Sequence, residues 1–213
     1  MTSFMDELLQ EMEWRVEEIS TLKILPHLHK FSDLEKKVLE KYTIASIYSL
    51  WEGFVASAFS LYIKHINQMA KELRLSVTQI CKTIIAHHMD EQYKLSDGRK
   101  NFEKKISLIS NIFNFFQSPP NISTKIPTKS NVKFKVINEI LERFNLKPLP
   151  DKPFKVEIDK LVIIRNNIAH GDVPTVNQSL IDALSISTTN AMSEVFNRII
   201  EGYQNKSFLE NSF

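Results

Sequence analysis

The sequence predicts an all-α fold, a helical bundle with a long central helix and a helical insert. Apolar residues recur at three- and four-residue steps over most of the chain, which is the spacing of one helix face. Only 4 glycines occur among 213 residues, so the chain has few of the turn signals that an all-β fold requires. A chain of this length suits a single domain. We expect its core to comprise residues of about 1–75 and 154–204, with the insert at about 76–153.

Two helices are predicted before the insert. Residues 3 to about 24 predict an amphipathic helix that ends before Pro26, because the residue preceding a proline disfavours helical geometry. Residues 32–35 have the sequence of a capping box and begin a helical pattern that runs as far as Leu73. Apolar side chains cover this second helix on nearly all sides. We therefore expect the longest helix to be buried at the centre of the bundle.

The insert is expected to contain further helices. Ser76 begins a capped helical pattern that reaches His88. The next helical pattern carries a row of large apolar residues, namely Phe102, Ile106, Ile109, Phe113 and Phe116. We expect this row to pack in the core, and a platform on which RNA bases stack is the alternative.

A basic loop follows that row. Residues 118–131 contain three prolines and have no apolar period, which predicts an exposed loop. Lys125, Lys129, Lys133 and Lys135 lie in or just after the loop, with no acidic residue between them. These lysines are either solvated or contact the phosphate backbone of RNA.

Composition limits the possible classes of function. The 27 Lys and Arg against 25 Asp and Glu leave a net charge of +2, so nucleic-acid binding would have to come from a local patch. Cys81 is the only cysteine, which indicates a reducing compartment. No signal peptide or long uninterrupted apolar run is evident, so we expect a soluble, cytoplasmic protein without a membrane partner. No phosphate loop or metal-binding motif occurs either, so no metal and no cofactor is expected.

A basic pair near the C-terminus is the most informative feature of the sequence. From Val156 the chain is helical by pattern, with an apolar face formed by Ile158, Leu161, Val162, Ile168 and Ala169. Arg165 falls in the register of that face, where its guanidinium needs an acid, backbone carbonyls or a bound anion. His170 lies at the predicted helix end, just before Gly171. The helix dipole there interacts favourably with a positive charge, so a histidine at this position is a candidate for proton transfer.

Glu52 is the matching exception in the long second helix. Its carboxylate lies between Trp51 and Phe54 on a helix that is otherwise apolar at this point. Because Glu52 and Arg165 have opposite charges, we expect them to pair in the fold. This pair would be a purely structural ion pair, or Glu52 would be an acid that orients Arg165 or His170 in a functional site.

At residues 165–170, Arg-Asn-Asn-Ile-Ala-His, the chain resembles the ribonuclease-type members of the HEPN superfamily (higher eukaryote and prokaryote nucleotide-binding domains). Those proteins carry an arginine, four to six further residues and a histidine, usually with a polar residue after the arginine, the place that Asn166 occupies here. Residues 48–54 are similar to the long N-terminal helix of a prokaryotic HEPN branch linked to conflict systems. The resemblance implies an HEPN-like bundle that dimerises, with Arg165, His170 and Asn166 in a catalytic site that Glu52 supports.

The sequence is compatible with two functions. The first is a metal-independent endoribonuclease in which the 2′-hydroxyl of RNA attacks its own phosphate and leaves a 2′,3′-cyclic phosphate. By resemblance it would be a toxin of a toxin–antitoxin or antiphage system, with an antitoxin encoded nearby. Arg165 and His170 are about 140° apart on a regular helix, so we expect a distorted helix end or a second subunit that completes the site. The second function is a non-catalytic HEPN-like binding or assembly module.

Overall fold

The computed structural model describes residues 3–92, 102–172 and 175–210, and within these residues the fold is all-α, as predicted. The helices are α1 (Phe4–Leu28), α2 (Asp33–Glu72), α3 (Lys82–Gln92), α4 (Phe102–Gln117), α5 (Phe134–Arg143), α6 (Asp151–Ala169) and α7 (Gln178–Gln204). A 3-10 turn at Val77–Gln79 precedes α3. The predicted helix from Ser76 to His88 is therefore two shorter pieces, and α6 begins before its predicted start at Val156.

Helix α2 is the centre of the bundle. Its capping box is formed as the sequence predicts: the Ser32 hydroxyl accepts the N–H of Glu35, and the Glu35 carboxylate accepts the N–H of Ser32. The helix is 40 residues long and packs against α1, α6 and α7. Its fully buried aromatic residues are Tyr48, Trp51, Phe54, Phe59 and Tyr62. By length and composition α2 could also span a membrane, but half of its most apolar stretch is buried against the other helices.

Helix α1 differs from its predicted end. It continues through Pro26 to Leu28, although a proline removes one helical hydrogen bond. Pro26 is buried and lies in the last turn, where few further hydrogen bonds depend on it. Packing of the proline ring against the core therefore outweighs the local preference to end the helix.

The expectation that the apolar row of α4 packs in the core is wrong. Ile106, Ile109, Phe113 and Phe116 are 50%, 51%, 62% and 42% exposed. The side chain of Phe102 lies outside the described residues. Instead Phe115, on another face of α4, turns inward and stacks on His88 with ring centroids 4.3 Å apart. Helical periodicity identified the apolar face correctly but could not show that this face points away from the bundle.

The basic loop, defined here as residues 118–133, is fixed to α2 at two points. The Asn67 side-chain amide accepts the N–H of Ile122 at 2.7 Å and donates to its carbonyl at 2.9 Å. At the other end the Tyr48 hydroxyl accepts the N–H of Val132, and the Trp51 indole N–H donates to the Val132 carbonyl, both at 3.0 Å. Trp51 and Asn67 are about 24 Å apart along α2, so the loop follows that length of the helix.

Two buried histidines of α3 hold the same loop. His87 donates from Nε2 to the Ser123 carbonyl at 3.1 Å, and His88 accepts the Ser123 N–H at its Nδ1 at 3.0 Å. The His88 ring therefore cannot carry a proton on Nδ1 while this bond exists. Burial lowers the pKa of both histidines, and nearby Arg143 adds to this effect on the pKa of His87. The acids Asp90 and Glu91 act on the pKa of His87 in the opposite direction.

We expect the chain to lose stability as the pH falls below 6.5, the ordinary pKa of histidine. In the unfolded chain His87 and His88 take up protons there, whereas in the folded chain their lowered pKa values keep them neutral, so the free energy of unfolding decreases. His88→Asn keeps an acceptor near Nδ1 but cannot titrate. Chemical unfolding at pH 7, 6 and 5 should give a smaller pH dependence for His88→Asn than for the unsubstituted chain. A control at the exposed His29, His29→Asn, should keep the original dependence, and an unchanged dependence in His88→Asn would contradict this account.

Candidate functional site

The C-terminal end of α6 carries the arginine and histidine singled out in the sequence. Ile158, Leu161, Val162 and Ile168 are buried toward α2 and α7, while Arg165 and Asn166 are half-buried. The helix ends at Ala169, and Gly171 follows with φ of 88°, a conformation that glycine adopts without strain. The Asp172 N–H bonds back to the Asn167 carbonyl at 2.9 Å, which closes the end of the helix. His170 is therefore exposed at a well-defined helix end.

Arg165 is held by an aromatic ring. Its guanidinium carbon lies 4.5 Å from the centroid of the Tyr48 ring, and its Nη1 donates to the Asn166 side chain at 2.9 Å. A cation over the face of a buried aromatic ring is stabilised by the ring quadrupole. A guanidinium carries five N–H groups, and among the described residues the Asn166 side chain is the one hydrogen-bond acceptor shown for Arg165.

The expected direct pair of Glu52 with Arg165 does not form in the described structure, where no ion pair joins them. Both residues instead interact with Tyr48, which lies between them. Glu52 is half-buried, and its carboxylate is close enough to the Tyr48 hydroxyl to contribute to the raised pKa of that tyrosine. The guanidinium therefore has an aromatic ring as its partner in place of an acid.

Tyr48 is the residue of this cluster that sequence reasoning missed. Burial raises the pKa of Tyr48 to about 12, and Glu52 contributes in the same direction, while the N–H of Val132 and the charge of Arg165 oppose it. The hydroxyl is thus neutral at physiological pH and does not serve as a proton acceptor for a substrate. A signal was present in the sequence, because residues 48 and 52 are one helical turn apart and face the same side of α2.

The predicted RNA-binding lysines divide between the two ends of the basic loop. Lys125 lies 3.7 Å from Glu91 of α3, near the α4 end of the loop. Lys129 and Lys135 lie 2.6 and 3.9 Å from Glu139 of α5. All three lysines are more than half exposed, so these pairs are weak and the ammonium groups remain open to other anions.

Lys133 occupies a different position from the other lysines. It immediately follows Val132, whose N–H bonds to the tyrosine on which Arg165 stacks. Lys133 also precedes the first residue of α5, and the Phe134 N–H is capped by Asp159 of α6 at 3.0 Å. The end of the basic loop is thereby connected to both helices that form the candidate site. Within the described residues, no cluster of three or more His, Cys, Asp or Glu side chains is arranged to hold a metal ion.

One comparison with known proteins identifies the family. The family model described as MAE_28990-like HEPN matches residues 4–208, which is nearly the whole chain and includes every described helix. No curated protein and no solved structure matched the chain. Together with the all-α bundle and the cluster at the end of α6, this match shows that the chain belongs to the HEPN superfamily.

Proposed function

We propose that the chain is a metal-independent endoribonuclease. HEPN domains are often ribonucleases, so an RNA-related function is the general expectation for this chain. One contact supports the specific function most directly: the Arg165 guanidinium is stacked on Tyr48 with an edge left open, on the helix that ends at the exposed His170. A planar guanidinium with a free edge can bind two oxygens of one phosphate.

In the proposed reaction the 2′-hydroxyl of one nucleotide attacks the adjacent phosphate. The 2′-oxygen loses a proton and forms a bond to phosphorus, the bond from phosphorus to the 5′-oxygen breaks, and that oxygen takes up a proton. His170 serves as the proton-transfer residue, and Arg165 stabilises the negative charge that develops on the phosphate oxygens. Asn166 holds one nitrogen of Arg165, while Glu52 and Tyr48 keep the guanidinium in place without touching RNA.

Two proton transfers with one histidine at the candidate site of each chain favour a homodimer, in which a second copy supplies the other His170. An exposed apolar stripe on α2 supports this assembly: Leu34, Val38 and Tyr42 are 73%, 46% and 57% exposed. Glu52 is five full helical turns from Leu34 and shares its register. A second copy that covers this stripe would therefore lie on the side of α2 that carries Glu52, with Tyr42 about 15 Å from Glu52 along the helix.

We expect the double variant Val38→Asp/Tyr42→Asp to be monomeric and to lose most RNA cleavage, because charges in an apolar interface oppose association. Light scattering at micromolar concentration should give twice the chain mass of 24.7 kDa for the unsubstituted chain and the single chain mass for the variant. A matched control at an exposed apolar residue of α1, Met5→Asp, should remain dimeric. A monomeric unsubstituted chain with full activity would contradict the dimer.

A non-catalytic binding or assembly module is the second candidate. It is favoured by one observation: Arg165 already has two protein partners, Tyr48 and Asn166, and could be structural. The two functions predict different results for RNA cleavage in EDTA and for RNA cleavage by His170→Ala. Cleavage of bulk transfer RNA by the purified chain in EDTA, absent from His170→Ala, would establish the nuclease, and no cleavage by either protein would favour the module.

By resemblance, we further propose that the nuclease is the toxin of a toxin–antitoxin or antiphage system and acts in the cytoplasm. The partner would then be an antitoxin encoded by a neighbouring gene. Expression of the chain alone should arrest growth, and co-expression of the neighbouring gene should restore it. Growth arrest by His170→Ala would instead separate toxicity from RNA cleavage.

A further inference from the structure

The exposed face of α4 needs an explanation that the site at Arg165 does not provide. Ile106, Ile109, Phe113 and Phe116 follow one another at helical steps of three and four, and each is at least 42% exposed. A contiguous apolar row of this size on the surface of a protein usually binds something. From Ile106 to Gln117, serine, asparagine and glutamine fill five of the eight positions outside the row, so uncharged polar residues accompany it.

The charge of the segment that contains this face favours one kind of partner. Residues 105–138 contain five lysines and no aspartate or glutamate. The acids that reach these lysines, Glu91 and Glu139, come from outside the segment, and the paired Lys125 and Lys129 remain more than half exposed. A second copy of the chain would bring lysines against lysines, whereas the phosphates of a nucleic acid would meet them with opposite charge.

A polar depression lies where α4 meets the basic loop, on the side of the helix that faces away from the exposed row. It has a volume of about 450 Å³ and is lined by Asn111, Asn114 and Asn121 together with Ser118 and the stacked pair of His88 and Phe115. Amide side chains can both donate to and accept from the edges of unpaired bases.

The basic loop connects this region to the candidate nuclease site. It leaves the end of α4, is fixed to Asn67 at Ile122, and reaches Tyr48 at Val132, about 28 Å farther along α2. We propose that the outer face of α4 binds single-stranded RNA, with bases stacked on Phe113 and Phe116 and the backbone following the lysines of the basic loop toward Arg165. Stacking requires unpaired bases, so double-stranded RNA is excluded from this surface. The inference rests on the proposed function, because it describes how that site selects its substrate.

Binding is best measured without cleavage, in the His170→Ala background, by fluorescence anisotropy with a labelled single-stranded 12-nucleotide oligouridine. Phe113→Ala/Phe116→Ala is expected to weaken binding at least about tenfold, since loss of one base-stacking aromatic typically weakens binding about five- to 150-fold and two are removed. A 12-base-pair RNA duplex should bind the two proteins equally. A control pair of exposed apolar residues on α1, Met5→Ala/Ile24→Ala, should leave oligouridine affinity unchanged.

Phe113→Tyr/Phe116→Tyr keeps both rings and should retain the affinity, which separates stacking from a loss of folding. Lys125→Gln/Lys133→Gln should reduce the salt dependence of binding by about 0.7 per phosphate contact removed. Unchanged oligouridine affinity of Phe113→Ala/Phe116→Ala would overturn the inference. A change of that variant from dimer to monomer in light scattering, with its oligouridine affinity unchanged, would show instead that the face binds a second copy of the chain. Loss of binding in the alanine pair supports the inference even if the unsubstituted chain cleaves nothing, so its outcome is separable from that of the nuclease proposal.

Discussion

His170→Ala should lower the rate of RNA cleavage by about 100- to 10,000-fold, which is the usual contribution of a positioned acid–base group. The fold should survive, because the ring is exposed just beyond the last residue of α6 and contributes little packing. Initial cleavage rates and thermal unfolding of the same preparations test both parts. His29 provides a matched control, since it is also exposed and occupies the corresponding position after the last residue of α1. His29→Ala should cleave RNA normally.

Arg165→Lys tests the role of the guanidinium in the same cleavage assay. Lysine keeps the positive charge but has no planar fork to stack on Tyr48 and to bind two phosphate oxygens, so most activity should be lost. Normal cleavage by Arg165→Lys would mean that the charge alone matters. Normal cleavage by a folded His170→Ala protein would remove the catalytic role of the histidine and favour the binding module.

Tyr48→Leu should reduce kcat by about 100-fold, because it removes the ring on which Arg165 rests and lets the guanidinium move from its position. It should also destabilise the fold, since the Val132 N–H loses its acceptor and the core loses an aromatic ring. Tyr48→Phe keeps the ring but not the hydroxyl. That variant should lose about 1–3 kcal/mol of stability from the unpaired N–H, yet retain much of kcat.

Tyr62 offers the matched control for these changes. It is another fully buried tyrosine of α2, and its hydroxyl has no hydrogen-bond partner among the described residues. Tyr62→Phe should therefore change neither stability nor kcat substantially. Chemical unfolding together with kcat and KM measured on folded protein distinguishes the roles. If folded Tyr48→Leu protein shows a normal kcat, Tyr48 does not position Arg165.

Much of the fold could be predicted from local signals. The capping box at Ser32 and the continuous apolar pattern up to Leu73 identified α2, its length and its burial, because cap geometry and periodicity act within a few residues of chain. Gly171 marked the end of α6 for the same reason. The all-α class followed from these local preferences acting together.

The partner of Arg165 could not be predicted in the same way. Its contact with Tyr48 joins residues more than 100 positions apart in the sequence, and a pattern that shows a charge in an apolar register does not show what will face it. Opposite charge suggested Glu52, whereas the space beside the guanidinium is occupied by an aromatic ring. The outward orientation of α4 was missed on similar grounds, since an apolar face on a helix does not reveal whether another element covers it.

The chemistry of the cut ends tests the central claim most directly. RNA fragments produced by the purified chain in EDTA can be analysed by mass spectrometry for their terminal groups. Attack by the 2′-hydroxyl, with His170 moving the protons and Arg165 holding the phosphate, predicts 2′,3′-cyclic phosphate and 5′-hydroxyl ends. It also predicts no cut after a nucleotide that lacks the 2′-hydroxyl. Fragments with 3′-hydroxyl and 5′-phosphate ends, formed only when a divalent cation is present, would contradict it.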